Sequence, residues 1–150
     1  MQVDVTTEVT IARPRTAVAA YSADPDNAPA WYANIESVEW KTPRPTAIGS
    51  RVAFVARFLG RRLAYVYEIV EFVPGQRLVM RTADGPFAME TTYTWAESPG
   101  GTTRMMLRNR GAPTGFSRLV APFLAGAIRR ANRKDLIRLK RLLERTEGRP

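Results

Sequence analysis

Between residues 37 and 110, glycine and proline cut the chain into six short segments whose connections are too brief to hold a crossover. The segments span residues 38–41, 51–59, 63–73, 77–82, 87–96 and 102–110, with turn-rich breaks at residues 43–49, 60, 74–75, 84–86 and 99–101. A parallel pair needs a dozen or more residues to return, so these segments are expected to pair as antiparallel strands. A seventh strand precedes them. Val3, Val5, Thr7, Val9 and Ile11 alternate with Asp4, Thr6, Glu8 and Thr10, the period of a half-buried strand.

Arg13-Pro14 ends that first strand, and Pro14 suits the start of a short helix with Ala17, Val18, Ala20 and Tyr21 on its apolar side. Asp24-Pro25 stops it, and a second short helix or loop over residues 28–35 carries Trp31 and Tyr32. The last element runs from about residue 116 to residue 145 and is a strongly amphipathic helix. Leu124, Ile128, Ala131, Leu139, Leu142 and Leu143 share one face; Arg129, Arg130, Arg133, Lys134, Lys140, Arg141 and Arg145 share the other. Pro122 either starts its main segment or kinks a longer helix, because proline cannot donate to the carbonyl four residues back. From Pro122 to Arg145 the helix would measure about 36 Å, enough to cross a domain of this size. The fold class is therefore α+β: one strand, two short helices, six strands and a long helix, in a single domain over residues 1–150.

Composition narrows the chemistry. The chain has neither cysteine nor histidine, which removes disulfides, thiolate metal sites, imidazole-based triads, the HExxH zinc helix and the two-histidine iron site. Its fourteen acidic residues show no DxDxDG-like spacing for a hard cation, so neither a metal nor a cofactor is expected. Residues 1–11 lack the apolar run of a signal peptide or membrane span, so a cytoplasmic protein without stable membrane insertion is expected. The net charge of +9 is uneven. Residues 1–100 hold ten basic and eleven acidic side chains, and residues 101–150 hold thirteen basic and three acidic. The excess therefore lies in the last third of the chain, most of it on the terminal helix, where a solvated face is the plainer reading. It carries no aromatic interleaving or nucleic-acid motif, and no nucleic acid is expected as a partner.

Three stretches carry a family likeness: Glu8-Val9-Thr10-Ile11-Ala12-Arg13-Pro14, the strand from Pro86-Phe87 to Tyr93-Thr94-Trp95, and the closing Asp135-Leu136-Ile137-Arg138-Leu139-Lys140-Arg141-Leu142-Leu143-Glu144. With the element order, they make the chain resemble the START-like (SRPBCC) superfamily, and within it the polyketide cyclase/dehydrase and lipid-transport branch. The resemblance spans nearly the whole chain. It implies a helix-grip fold, a seven-stranded curved antiparallel sheet wrapped around the long C-terminal helix with an apolar cavity between them. Members of that superfamily include lipid carriers, hormone receptors, aromatases and cyclases.

Given such a cavity, Phe87, Met89, Thr91 and Tyr93 are expected to line it with Trp95 on the same inward face, Thr91 and Tyr93 offering hydroxyls to a ligand. Leu124 and Ile128 would face it from the helix. Asp135 falls on the helix's apolar stripe with Asn132 at the margin, and a carboxylate there must be hydrogen-bonded, paired or solvated. It serves as a structural partner or as a group that orients or protonates a ligand, unless a kink at Pro122 shifts the phase of the helix and leaves it exposed. Glu68 and Glu71 occupy opposite faces of one strand, so one of them is expected on the concave side. Tyr65, Tyr67, Arg51 and Arg57 read as surface or rim. Trp31 and Tyr32 read as lid residues over the cavity mouth or as packing against the first helix.

Three functions stay open at this stage. The first is binding or carriage of a small hydrophobic or aromatic ligand of lipid, polyketide or terpenoid type. The second is a cyclase- or dehydratase-like enzyme that uses cavity shape with tyrosine and carboxylate groups in place of histidine. The third is an interaction protein that uses the basic helix face. The sequence names neither the ligand nor the oligomeric state.

Overall fold

The computed structural model describes residues 2–84, 88–112 and 121–146. Strand β1 (Val3–Ile11) leads into α1 (Arg15–Ser22), a 3-10 turn (Pro25–Asn27) and the single-turn α2 (Ala28–Trp31). Six strands follow: β2 (Ile35–Trp40), β3 (Arg51–Phe58), β4 (Arg61–Val73), β5 (Arg77–Asp84), β6 (Ala88–Ser98) and β7 (Thr102–Ala112). A 3-10 turn (Ala121–Phe123) then introduces α3 (Leu124–Thr146). The strands form one open, curved antiparallel sheet in the order β1-β7-β6-β5-β4-β3-β2, the helix-grip arrangement.

β2 starts earlier than the expected Val38. The chain leaves α2 with Tyr32 already extended, at φ −82° and ψ 115°, so Ile35 is a strand residue rather than the end of a helix. Pro122 lies in the 3-10 turn that precedes α3, and residues 116–120 of the expected helix lie outside the described residues.

α3 packs along the sheet, most extensively against β1. Leu136, Leu139 and Leu143 are buried there with Ile11, Trp31, Ile69, Leu78, Met105 and Leu107. Leu136 was not assigned to the buried stripe from the sequence, and the stripe is wider than that reading. Leu124, Ile128, Ala131 and Asp135 lie along one side of it, and Asn132, Leu136 and Leu143 lie along the other. Lys140, assigned to the solvent face, instead sits at its edge, donating to the Thr10 carbonyl at 2.9 Å and pairing with Glu144. Glu144 in turn accepts the Ala12 N–H at 2.8 Å, and Arg13 donates to the Leu143 carbonyl at 3.0 Å. The end of β1 is thereby latched to the end of α3.

Charges divide by surface. Across the sheet's outer side, cations meet carboxylates on neighbouring strands, as in Asp4 with Arg108, Arg51 with Glu68, and Glu90 between Arg81 and Arg110. The exposed Arg129, Arg130, Arg133, Lys134, Arg138, Arg141 and Arg145 of α3 have no carboxylate partner among the described residues. No helix among them is long and apolar enough to cross a membrane.

One glycine is demanded by packing. Gly111 stands opposite Met89 in the β6–β7 register at φ +151°, and a Cβ there would lie 2.1 Å from the Ala88 carbonyl oxygen. The close approach closes the sheet at the end where β6 delivers Met89 to the interior.

Candidate functional site

Between the concave side of the sheet and the first half of α3 lies a cavity of about 160 Å³. Its apolar wall comes from Phe54, Phe58, Leu63, Leu78, Met80 and Met89 on the strands and from Leu124, Ile128 and Ala131 on α3. An apolar cavity of about 150 Å³ takes up one benzene molecule, so the volume suits a ring-sized ligand better than a long acyl chain.

Strand alternation places the polar groups in two clusters. On β6, Met89, Thr91 and Tyr93 point inward, and β7 sets Asn109 opposite Thr91. Thr91 Oγ1 donates to Asn109 Oδ1 at 3.0 Å, which leaves the Tyr67 hydroxyl, 2.7 Å away, as the donor to Thr91. This chain runs Tyr67 to Thr91 to Asn109 across the sheet. The second cluster joins sheet to helix: the Tyr32 and Tyr93 hydroxyls lie 2.5 Å apart, beside Asn132 and Asp135 of α3. Asp135 is 3% exposed and accepts the Ala33 N–H at 3.1 Å through Oδ1. Asn132 is 4% exposed, and among the described residues its Nδ2 has no hydrogen-bond partner, nor has the indole N–H of Trp31.

Burial governs the ionisation of these groups. It pushes the Asp135 carboxyl up to about 6, against smaller opposing effects of the Ala33 N–H and the Arg138 charge. It pushes Tyr67 up to about 12, and it holds Tyr32, Tyr65 and Tyr93 well above the ordinary phenol value. The tyrosines are therefore neutral donors and acceptors at physiological pH, and none is a ready phenolate base. Asp135 alone among these cavity groups changes charge near neutrality.

Several expected site residues come together here: Tyr32, Met89, Thr91, Tyr93, Leu124, Ile128, Asn132 and Asp135 all line the cavity. Phe87 lies outside the described residues. Trp31 is fully buried in the core, its ring 4.1 Å from that of Tyr32 and 5.8 Å from that of Tyr93, so it supports the wall from behind and is not a lid. Neither glutamate of β4 reaches the concave side. Glu68 pairs with Arg51, and a register shift between Ile69 and Glu71 turns Phe72 inward and sends Glu71 out to Arg77. Arg51 and Arg57 stay on the outer side, paired with Glu68 and Glu36.

Tyr65 and Tyr67 are corrections in the other direction: with Phe54 they form a mutually packed aromatic wall, ring centres 5.2–5.9 Å apart. Their link to Glu71 by a period of two concealed this, because the same bulge breaks that period. Asn109 was missed as well, although it continues the inward set Thr103, Met105 and Leu107 as its one amide. A second depression, of about 520 Å³, lies beside α1 and the β2–β3 connection. Its charged groups satisfy one another, since Asp26 accepts from Arg44 at 2.7 Å and from the Trp40 indole at 3.0 Å.

A family model described as polyketide cyclase / dehydrase and lipid transport matches residues 2–144. No curated protein sequence matches the chain. Among solved structures, the protein TTHA0849 of Thermus thermophilus superposes with a TM-score of 0.81 at 18% identity, over 97% of this chain and 99% of that one. The Zhui aromatase/cyclase of a Streptomyces species superposes at 0.79 with 16% identity, over 97% and 95% of the two chains. A START superfamily protein of Mycobacterium smegmatis gives 0.76 at 13% identity, over 93% and 98%. At these identities the likeness is one of fold.

Proposed function

The chain belongs to the polyketide cyclase / dehydrase and lipid transport family, and from that premise we propose that it binds and carries a small, ring-bearing hydrophobic molecule in the cavity under α3. The observation that carries this reading is the wall itself: a ring-sized apolar space whose tyrosine and threonine hydroxyls already bond to one another. Such a wall orients a ligand through a few convergent polar groups while gaining its affinity from burial. The volume favours compact polyketide- or terpenoid-like rings over an extended lipid chain.

An environment-sensitive aromatic probe should bind the native protein saturably and at one site. Met89→Trp, which fills the cavity from β6, should weaken that binding at least tenfold while far-UV circular dichroism stays native. Binding that does not saturate, or that ignores the tryptophan, would refute the proposal.

A second reading, a cyclase- or dehydratase-like enzyme, draws on the Asp135 carboxyl, pushed up to about 6 beside the Tyr32–Tyr93 hydroxyl pair. A group that titrates near neutrality can take a proton from a ligand and return it. On this reading, Asp135→Asn should abolish turnover of an aromatic-precursor ketide while probe binding persists.

A further inference from the structure

Resting on the carrier reading, we infer that the cavity selects a hydrophobic amine, its ammonium group seated between the Asp135 carboxylate and the tyrosine rings, and that it rejects the matching acid. The first observation is the sign of the wall. The chain has 23 basic residues, yet among the described residues none of those that line the cavity is lysine or arginine; the charged ones are Asp24 and Asp135. A carboxylate or phosphate ligand would enter a low-dielectric space beside like charge and meet no counter-ion.

The second observation is that Asp135 itself lacks a counter-ion. It is 3% exposed and forms no ion pair among the described residues; its hydrogen bond comes from the Ala33 backbone. Among the described residues no cation of α3 forms an ion pair with Asp135. Lys140 is engaged by Thr10 and Glu144, and the exposed Arg138, three residues on, lowers the carboxyl's pKa through its charge without pairing with it. A buried carboxylate in this condition is costly, and a ligand cation would supply the missing charge at the point where it is needed.

The third observation is the ring lining. Four of the five tyrosines in the chain, Tyr32, Tyr65, Tyr67 and Tyr93, line the cavity with Phe54. Aromatic faces attract cations, the more so away from water, and they leave an anion without compensation.

Three probes of one shape test the inference: 2-phenylethylamine, 2-phenylethanol and phenylacetate, titrated into the full chain at pH 7.5 and fixed ionic strength, with binding followed by protein-observed NMR. The amine should bind at least tenfold more tightly than the acid and more tightly than the alcohol. Asp135→Asn should lower amine affinity at least tenfold and change alcohol affinity less than threefold. An amine that binds no better than the alcohol to the unaltered protein would overturn the inference whether or not the variant folds. An equal loss for amine and alcohol in a folded variant would overturn it too. Failure of all three probes to bind would instead bring down the carrier reading beneath it.

Discussion

Burying the Asp135 carboxyl beside two phenols keeps a proton on it to a higher pH than in the unfolded chain, where an aspartate titrates near its ordinary value of about 3.9. Between about pH 4 and about pH 6 the folded protein therefore holds a proton that the unfolded chain has released. Stability attributable to this residue falls as pH rises through that window and is level above it. Two units of pKa correspond to about 3 kcal/mol. Asp135→Asn keeps an oxygen to accept the Ala33 N–H and removes the charge, so it should gain on the unaltered protein by about 2–3 kcal/mol between pH 4 and pH 7. Urea unfolding at both pH values measures the difference, and an equal gap at both would mean that water reaches the carboxyl. Glu90, paired with two arginines, and Asp4, paired with Arg108, are shifted downward. They act with the opposite sign, losing their contribution as pH falls through the acid range.

At the scale of elements, α3 carries two unlike surfaces on one cylinder. Leu139 is fully buried among core residues of the sheet, and Arg133 projects from the far side without a carboxylate partner among the described residues. Leu139→Ala should cost about 2–5 kcal/mol through lost burial and a residual cavity, and Arg133→Ala should stay within about 0.5 kcal/mol. Comparable losses in chemical denaturation would show that the helix is rotated from the orientation described. β4 makes the complementary point. Its regular alternation puts Leu63, Tyr65, Tyr67 and Ile69 on the concave side, and one shift of register after Ile69 then brings Phe72 inward and keeps Glu71 in water. An unbroken strand would have carried Glu71 to the concave side and added a second carboxylate beside Asp135, while Glu68 stayed outside with Arg51.

At the scale of the whole molecule, the cavity links sheet and helix, so filling it should stabilise the fold as a unit. An aromatic ligand at about one hundred times its Kd adds about 2.7 kcal/mol, which should raise Tm by about 5–10 °C for a chain of this length. Thermal unfolding against ligand concentration tests this, and a Tm indifferent to ligand would place binding outside the folded cavity. Seven strands, their antiparallel pairing and the terminal helix were legible in the residues, because turn chemistry and side-chain periodicity act locally and repeat. Asp135 was legible for the same reason, as a charge on an apolar stripe. The Tyr67–Thr91–Asn109 chain, the Tyr32–Tyr93 pair and the core position of Trp31 were not, since each joins residues that are distant along the chain and neighbours only after the sheet has curved. The sequence alone determined which elements form and which of their faces are apolar. The bulge in β4 and the seating of α3 on the sheet decided which polar side chains converge, because a one-residue shift in a strand exchanges its two faces and no local pattern records where that shift falls.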